Sequence, residues 1–213
     1  MQKLKIDEEE EEIKVILVGE IATGKTSLIN TSMGLEFQEK TFSTQTSSIS
    51  KKRIIVKNKK YCINLWDTIG QEQFRSLTKI FMKDSKIVIF VYDITRNSTF
   101  KQIKEFWYEN AKNELGDDPV MAVVGNKEDL YYESEVSDDE VEKFTKENNL
   151  LFRLTSAKNP KNFSNFIEEL VKIYIKKSKN IKDDENDEND ENNKNILKLN
   201  KKNNKNTKKR RFC

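Results

Sequence analysis

Apolar positions along the chain follow two rhythms. "IKVILVG" (13–19), "KIVIFVYDI" (86–94), "PVMAVVGNK" (119–127) and "LLFRLTSA" (150–157) are short, nearly continuous apolar runs rich in β-branched residues. Such runs predict buried strands. "SISKKRIIVKN" and "YCINLWD" flank "KNKK" (57–60) and predict a hairpin. The other rhythm is helical. One helix is expected to start at Lys25 and fade near Gly34. A second is expected from a Ser98 cap to about Leu115, with Phe100, Ile103, Phe106, Trp107 and Ala111 on one face. "SDDEVEKFTKENN" (137–149) predicts a third, opened by a capping box of Ser137 and Glu140. Phe163, Phe166, Ile167, Leu170, Val171, Tyr174 and Ile175 fall at i, i+3, i+4, i+7, i+8, i+11 and i+12, an amphipathic helix. Strands alternating with helices predict a mostly parallel sheet covered on both faces, with ligand at the carboxyl ends of its strands.

Charge decides where this folded unit ends. Charged and hydrophobic residues each make up 35% of the 213 residues, so a core is feasible only if charge is concentrated elsewhere. It is. "DEEEEE" (7–12) and everything after about Lys177 lack periodicity and cannot bury enough apolar surface to offset ordering entropy. Three segments are therefore expected: an acidic N-terminus (1–12), a folded domain (13–176) and a tail (177–213). The net charge of +3 hides a split tail, "DDENDENDE" (183–191) and then "KNILKLNKKNNKNTKKRR" (194–211), which carries nine Lys/Arg and no carboxylate. Such a stripe is a solvated tail or a surface for anionic lipid or nucleic acid. It lacks interleaved aromatics and no nucleic-acid module accompanies it, so no nucleic-acid partner is expected. Two cysteines, Cys62 and Cys213, are too few for a disulfide framework. No apolar run approaches the roughly 18 residues of a membrane span. "MQKLKIDEEEEE" has no apolar signal region. The chain is expected to act inside the cell and to be no integral membrane protein.

The loops after the strands carry the chemistry. "GEIATGKT" (19–26) has the spacing G-x-x-x-x-G-K-[ST] between a strand and a helix. Backbone N–H groups over Glu20, Ile21, Ala22, Thr23, Gly24, Lys25, Thr26 and Ser27 could wrap phosphate oxygens at a helix N-terminus. Lys25 would neutralise β/γ charge and the Thr26 hydroxyl would bind Mg²⁺. In "WDTIGQE" (66–72), Asp67 could reach the metal through water, and Gly70 lets a backbone N–H approach a γ-phosphate. Gln71 could orient a water for in-line attack. In "GNKED" (125–129), the Asp129 carboxylate matches the paired N1–H and 2-amino donors of guanine, which adenine lacks. Asn126 can address the other base edge, and the Lys127 stem can cover the base. "TSAK" (155–158) offers the Ala157 N–H to guanine O6, flanked by Ser156 and Lys158. Four of the six glycines, Gly19, Gly24, Gly70 and Gly125, fall inside these loops.

These four elements, in this order, closely resemble the small Ras-like GTPases over roughly 13–176. "QEQFRSLT" (71–78) and "FVYDIT" (90–95) are similar to the Rab family within them. The resemblance implies a P-loop GTPase domain: a six-stranded, mostly parallel sheet flanked by five helices. It implies a monomer that binds GTP/GDP with Mg²⁺, hydrolyses GTP slowly and switches vesicle and membrane traffic. An exchange factor, a GTPase-activating protein and effectors would be its partners. By the same resemblance Thr44, 23 residues before Asp67, would ligate Mg²⁺ and touch the γ-phosphate. Its neighbours in the 41–48 Ser/Thr cluster are alternatives. Phe37 would lie against the guanine.

Departures cluster near the γ-phosphate. Ile21 and Ile69 stand where relatives tend to carry small residues, Thr41 replaces a tyrosine lid, and "QTSSI" follows Thr44. Either these are drift with slow hydrolysis kept, or the isoleucines obstruct Gln71 or an incoming arginine finger. The alternative function is a GTP-sensing scaffold that hardly hydrolyses and is not membrane-anchored. The terminus "KKRRFC" carries one last-position cysteine and is not C-a-a-X. Similarity to Rabs implies prenylation at Cys213. One chain plus a basic patch would satisfy the two-signal rule for anchoring on an anionic membrane surface. That implies a cytoplasmic protein, peripheral on the cytosolic face of endomembranes.

Overall fold

A computed structural model describes residues 10–39, 44, 46–68, 80–116 and 118–179. Six strands form one sheet: β1 (Glu11–Val18), β2 (Ser48–Val56), β3 (Lys59–Asp67), β4 (Ile87–Asp93), β5 (Val120–Asn126) and β6 (Leu151–Leu154). Their order is β2-β3-β1-β4-β5-β6. Only β2 and β3 pair antiparallel; every other neighbouring pair is parallel. The continuous apolar run of β4 is buried at every position, as a central parallel strand requires. β2 lies at the edge and is mostly exposed.

The hairpin is tighter than the sequence suggests. Its turn is Lys57–Asn58 alone, both left-handed (φ 49° and 64°), and Lys59 and Lys60 join β3. Two consecutive left-handed residues are what a two-residue turn matching the strand twist needs.

Helix α1 spans Lys25–Ser32. Helix α2 runs through Asn97–Gln102 and Tyr108–Leu115, with a π turn, Ile103–Trp107, between them. A 3-10 helix covers Glu128–Glu133, and α3 covers Asp138–Glu147. Helix α4 occupies 160–174 and buries Phe163, Phe166, Ile167, Leu170 and Val171, the expected stripe. Phe100, Ile103, Trp107 and Ala111 of α2 are likewise buried, as is Tyr108 beside them.

Both expected caps differ. Helix α2 begins one residue before Ser98, at Asn97, whose N–H is taken by Glu135 Oε2. Arg96 stands at the N-cap without a side-chain cap bond, and Thr99 Oγ1 ties the turn to β4 by donating to the Asp93 and Arg96 carbonyls. Ser137 sits at the α3 N-cap but makes no side-chain cap bond, and Glu140 pairs with Lys104 of α2. The interhelical ion pair outcompetes the local box.

A second compact unit, Ile175–Cys213, is described only over 175–179, which are helical. Among the described residues no helix is long and apolar enough to cross a membrane.

Candidate nucleotide site

The first loop leaves β1 at Gly19, where a Cβ would stand 2.1 Å from the Val91 carbonyl oxygen. Strand β4 therefore demands glycine there. Gly24 has φ +91°, and a Cβ on it would stand 2.2 Å from Asn126 Nδ2. Between them Ala22 is also left-handed (φ 60°). Helix α1 then begins with no side-chain cap and no acidic residue in its first turn. Its leading N–H groups and the positive end of its dipole thus face the loop without a side-chain cap among the described residues. Lys25 is 5% exposed, and its Nζ donates to the Gly19 and Glu20 carbonyls at 2.9 Å each. Burial pulls its pKa down to about 8, against the opposing pull of Asp67 and Glu20. A buried ammonium whose hydrogen bonds among the described residues go to two carbonyls gains from an anion laid against it.

Not every residue of the loop turns inward. The Glu20 carboxylate accepts from Trp107 Nε1 of the π turn at 3.1 Å. Ile21 is 40% exposed, and its carbonyl accepts from Arg96 Nη2 at 2.9 Å. Thr23 Oγ1 donates to the Glu20 carbonyl.

Three oxygens from distant segments meet beside Lys25. Thr26 Oγ1 donates to Asp67 Oδ2 at 2.6 Å and lies 2.7 Å from Thr44 Oγ1. The structure thus brings Thr44, rather than any other described member of its Ser/Thr cluster, onto Thr26. Asp67 is 2% exposed, and its Oδ1 is buried with no hydrogen-bond partner among the described residues. Burial raises its pKa; the Thr26 bond and the Lys25 charge offset part of that rise. An orphaned carboxylate oxygen beside two hydroxyls fits a hard cation such as Mg²⁺, which takes one or two carboxylates, waters and phosphate oxygens rather than an all-protein cage.

Beyond the cradle lies a cleft of about 420 Å³, lined by Ala22, Gly24, Ser27, Phe37, Asn126, Lys127, Asp129, Ser156, Ala157 and Lys158. Every guanine-end residue expected from the sequence is there. Asp129 accepts from Ser156 Oγ and pairs with Lys158 Nζ at 3.1 Å. Burial pushes the Asp129 pKa up, but these hydrogen bonds win and hold it below its ordinary value. Lys158 Nζ also stands 5.7 Å from the Phe37 ring centre, so those two side chains close one wall. Asn126 Nδ2 donates to the Thr23 carbonyl at 2.8 Å, tying the base loop to the cradle. Lys127 is left-handed (φ 70°), and its Nζ reaches Asp93 Oδ2 at 2.6 Å. Gln38, Glu39 and Leu130 also line the cleft and were not expected.

Sequence reasoning also missed Asp93. It is fully buried at the end of β4 and collects Lys127, Arg96 and Thr95 on one carboxylate. Its signal is the same as Asp67's, a carboxylate closing an apolar strand. Ile69, Gly70, Gln71, Thr41 and Cys213 lie outside the described residues.

Comparison with known proteins agrees with this geometry. The sequence model of the Ras family matches residues 14–176. The chain is 35% identical over 163 residues to Ras-related protein Rab-21 of Bos taurus, covering 76% of this chain and 73% of the relative. Ras-related protein Rab-21 of Canis lupus familiaris matches to the same extent. A cradle, a cation-ready oxygen cluster and a carboxylate-floored base cleft at the strand ends therefore have a family: this chain is a Ras-like small GTPase of the Rab family, a GTP hydrolase.

Proposed function

We propose that the chain is a slowly hydrolysing, Mg²⁺-dependent GTP/GDP switch of intracellular membrane traffic. The observation that supports this most is the meeting of Thr26, Thr44 and Asp67 beside Lys25. Thr44 comes from a segment 18 residues beyond Thr26, outside the cradle loop and its helix. A threonine that reaches the cation only when that segment is drawn in lets the segment report which nucleotide is bound.

In this reading Lys25 and the N–H groups of 20–27 hold the phosphates, and Asp129 with Ala157 selects guanine. Thr26, Thr44 and Asp67 would hold Mg²⁺, which would supply positive charge against the phosphate oxygens. Gly70 offers its N–H to the γ-phosphate, and Gln71 orients the attacking water. The basic tail, lipidated at Cys213, would hold the protein on the cytosolic face of an endomembrane. There an exchange factor, an activating protein and effectors act on the monomer.

Single-turnover hydrolysis is the test. The chain should turn over GTP but not ATP, and Gln71→Leu should remove most of the rate. Equal affinity for GTP and ATP would end the guanine reading. For the tail, Cys213→Ser should release the protein to the cytosol, and mass spectrometry should find a prenyl chain on the parent.

One observation favours a second reading, a GTP-sensing scaffold. Ile21 puts a branched side chain, 40% exposed, on the cradle loop. If it excludes an arginine finger, hydrolysis would stay near the intrinsic rate of Ras-type enzymes, on the order of 10⁻⁴ s⁻¹. A rate unmoved by any activating protein, and raised about tenfold by Ile21→Gly in its presence, would establish that reading.

A further inference from the structure

Two donors from α2 and the loop before it grip the outside of the phosphate cradle at successive residues. Arg96 Nη2 donates to the Ile21 carbonyl at 2.9 Å, and Trp107 Nε1 donates to the Glu20 carboxylate. Arg96 is itself fixed: its Nε donates to Asp93 Oδ2 at 2.9 Å, and the Asp93 side chain is 1% exposed. A planar guanidinium can hold two acceptors at once through different nitrogens, which an ammonium at one point cannot do as rigidly.

The consequence lies on the other side of the peptide. In a trans peptide the C=O and the following N–H point in opposite directions. With the Ile21 carbonyl turned to Arg96, the Ala22 N–H is turned away from it, into the cradle. The loop uses the same device once more, where Asn126 holds the Thr23 carbonyl and so turns the Gly24 N–H. Ala22 needs such a hold, because its left-handed backbone (φ 60°) is strained for a residue with a side chain.

We infer that Arg96 is a positioning residue of the phosphate cradle: by pinning the Ile21 carbonyl to the buried Asp93, it aims the Ala22 N–H at the nucleotide's phosphates. Through Asp93, which also holds Lys127, the same contact links the cradle to the base loop. This rests on the reading of 19–27 as a phosphate site. Loss of a hydrogen bond from a charged donor is worth about a tenfold change or more in affinity.

The experiment uses the full chain loaded with GDP and Mg²⁺. Arg96→Met removes both contacts of Arg96. Arg96→Lys keeps a cation for Asp93 while leaving the Ile21 carbonyl unheld. Both should release GDP about tenfold faster and move the β-phosphorus ³¹P resonance and the Ala22 amide resonance. Millimolar guanidinium should slow release again from Arg96→Ala, because a cavity of about 280 Å³ beside Ile21 and Arg96 can admit it. Lys101→Met is the control: Lys101 lines the same cavity but pairs with Glu105. It should behave as the parent. Parent-like release with unmoved resonances in Arg96→Lys and Arg96→Met would overturn the inference. So would faster release with both resonances unmoved, which would assign Arg96 to the fold alone. A parent chain that retains no GDP would remove the phosphate reading itself, and this inference with it.

Discussion

At the base end of the cleft, Asp129 already holds a hydroxyl and an ammonium on its carboxylate. At the phosphate end, among the described residues, Asp67 keeps one oxygen without a hydrogen-bond partner and the Lys25 ammonium bonds two carbonyls. The titration shifts follow that contrast. Asp129 and Asp93 are held below their ordinary values, whereas Asp67 is raised and Lys25 lowered, both toward neutrality. The base end is electrostatically complete before a ligand arrives. The phosphate end is completed by the ligand and its cation. Recognition of guanine should then persist in either nucleotide state, while the phosphate end is free to differ between GTP and GDP.

The largest break in this contrast is Asp129→Asn. It removes the acceptor for two guanine donors and leaves Lys158 facing an amide. Guanine nucleotides should bind at least about a hundredfold more weakly, two charge-assisted hydrogen bonds being lost. Xanthine nucleotides should gain, and competition between GDP and XDP measures both. Unchanged GDP affinity would mean that the base end reads something other than this carboxylate.

Next in size is Thr26→Asn, which acts at the other end. It breaks the hydroxyl contacts to Asp67 and Thr44. Mg²⁺ affinity should fall by about ten- to a hundredfold, on the scale of losses at metal shells. GTP should suffer more than GDP, because the metal's charge would offset the additional phosphate charge of GTP. Equal losses for the two nucleotides, measured by Mg²⁺ titration, would show that the ends do not differ in nucleotide sensing.

The same contrast explains what the sequence discloses. The cradle, Asp67, "GNKED" and "TSAK" can be read from the sequence because each stands at or just after the end of a strand, within a few consecutive residues. The strands are legible because parallel strands buried on both faces are nearly all apolar, as β4 is throughout. What stays hidden depends on long-range placement. Arg96 lies 75 residues from Ile21, and Trp107 lies 87 from Glu20. No local spacing signals either pair. Phe100, Ile103, Trp107 and Ala111 stand at ordinary helical spacing in the sequence, so their pattern does not signal the π turn that carries Trp107. The two helix caps fail for a related reason. Ser98 and Ser137 are good local signals, but Glu135 and Lys104 arrive from elsewhere in the fold and settle those groups first. Nor does the motif by itself show that Asn126 spends its donor on Thr23.

That Asn126 bond is the strut between the two ends, and Gly24→Ala should cut it. The new Cβ would stand 2.2 Å from Asn126 Nδ2, at a φ of +91° that strains any L side chain. Asn126 must move, and the Thr23 carbonyl loses its donor. GDP affinity should drop by about 1–3 kcal/mol from strain and the lost bond together. Both ends should loosen, so Mg²⁺ dependence and guanine preference weaken in parallel. If only one weakens, the ends are independent.

The smallest change sharpens the contrast without breaking it. Ser156 is 4% exposed; its Oγ donates to Asp129 and accepts from the Lys158 N–H at 3.1 Å. Ser156→Ala leaves Asp129 its Lys158 partner and should weaken GDP by about 1 kcal/mol, one net hydrogen bond. The pH profile tells more. The Asp129 pKa is depressed, so its carboxylate is present above that value and its stabilisation is lost only as pH falls through it. With the Ser156 bond gone, one of the contacts that hold the pKa down is lost and the pKa rises, so guanine preference should fade at a higher pH than in the parent. Asp67 behaves oppositely in the parent. Its pKa is already raised, so acid should cost Mg²⁺ affinity before it costs guanine preference. Affinities for GDP, XDP and Mg²⁺ measured down the acid range in parent and variant would show that order. In Ser156→Ala the two losses should draw closer together. If the parent loses guanine preference first, the base end is no more complete than the phosphate end.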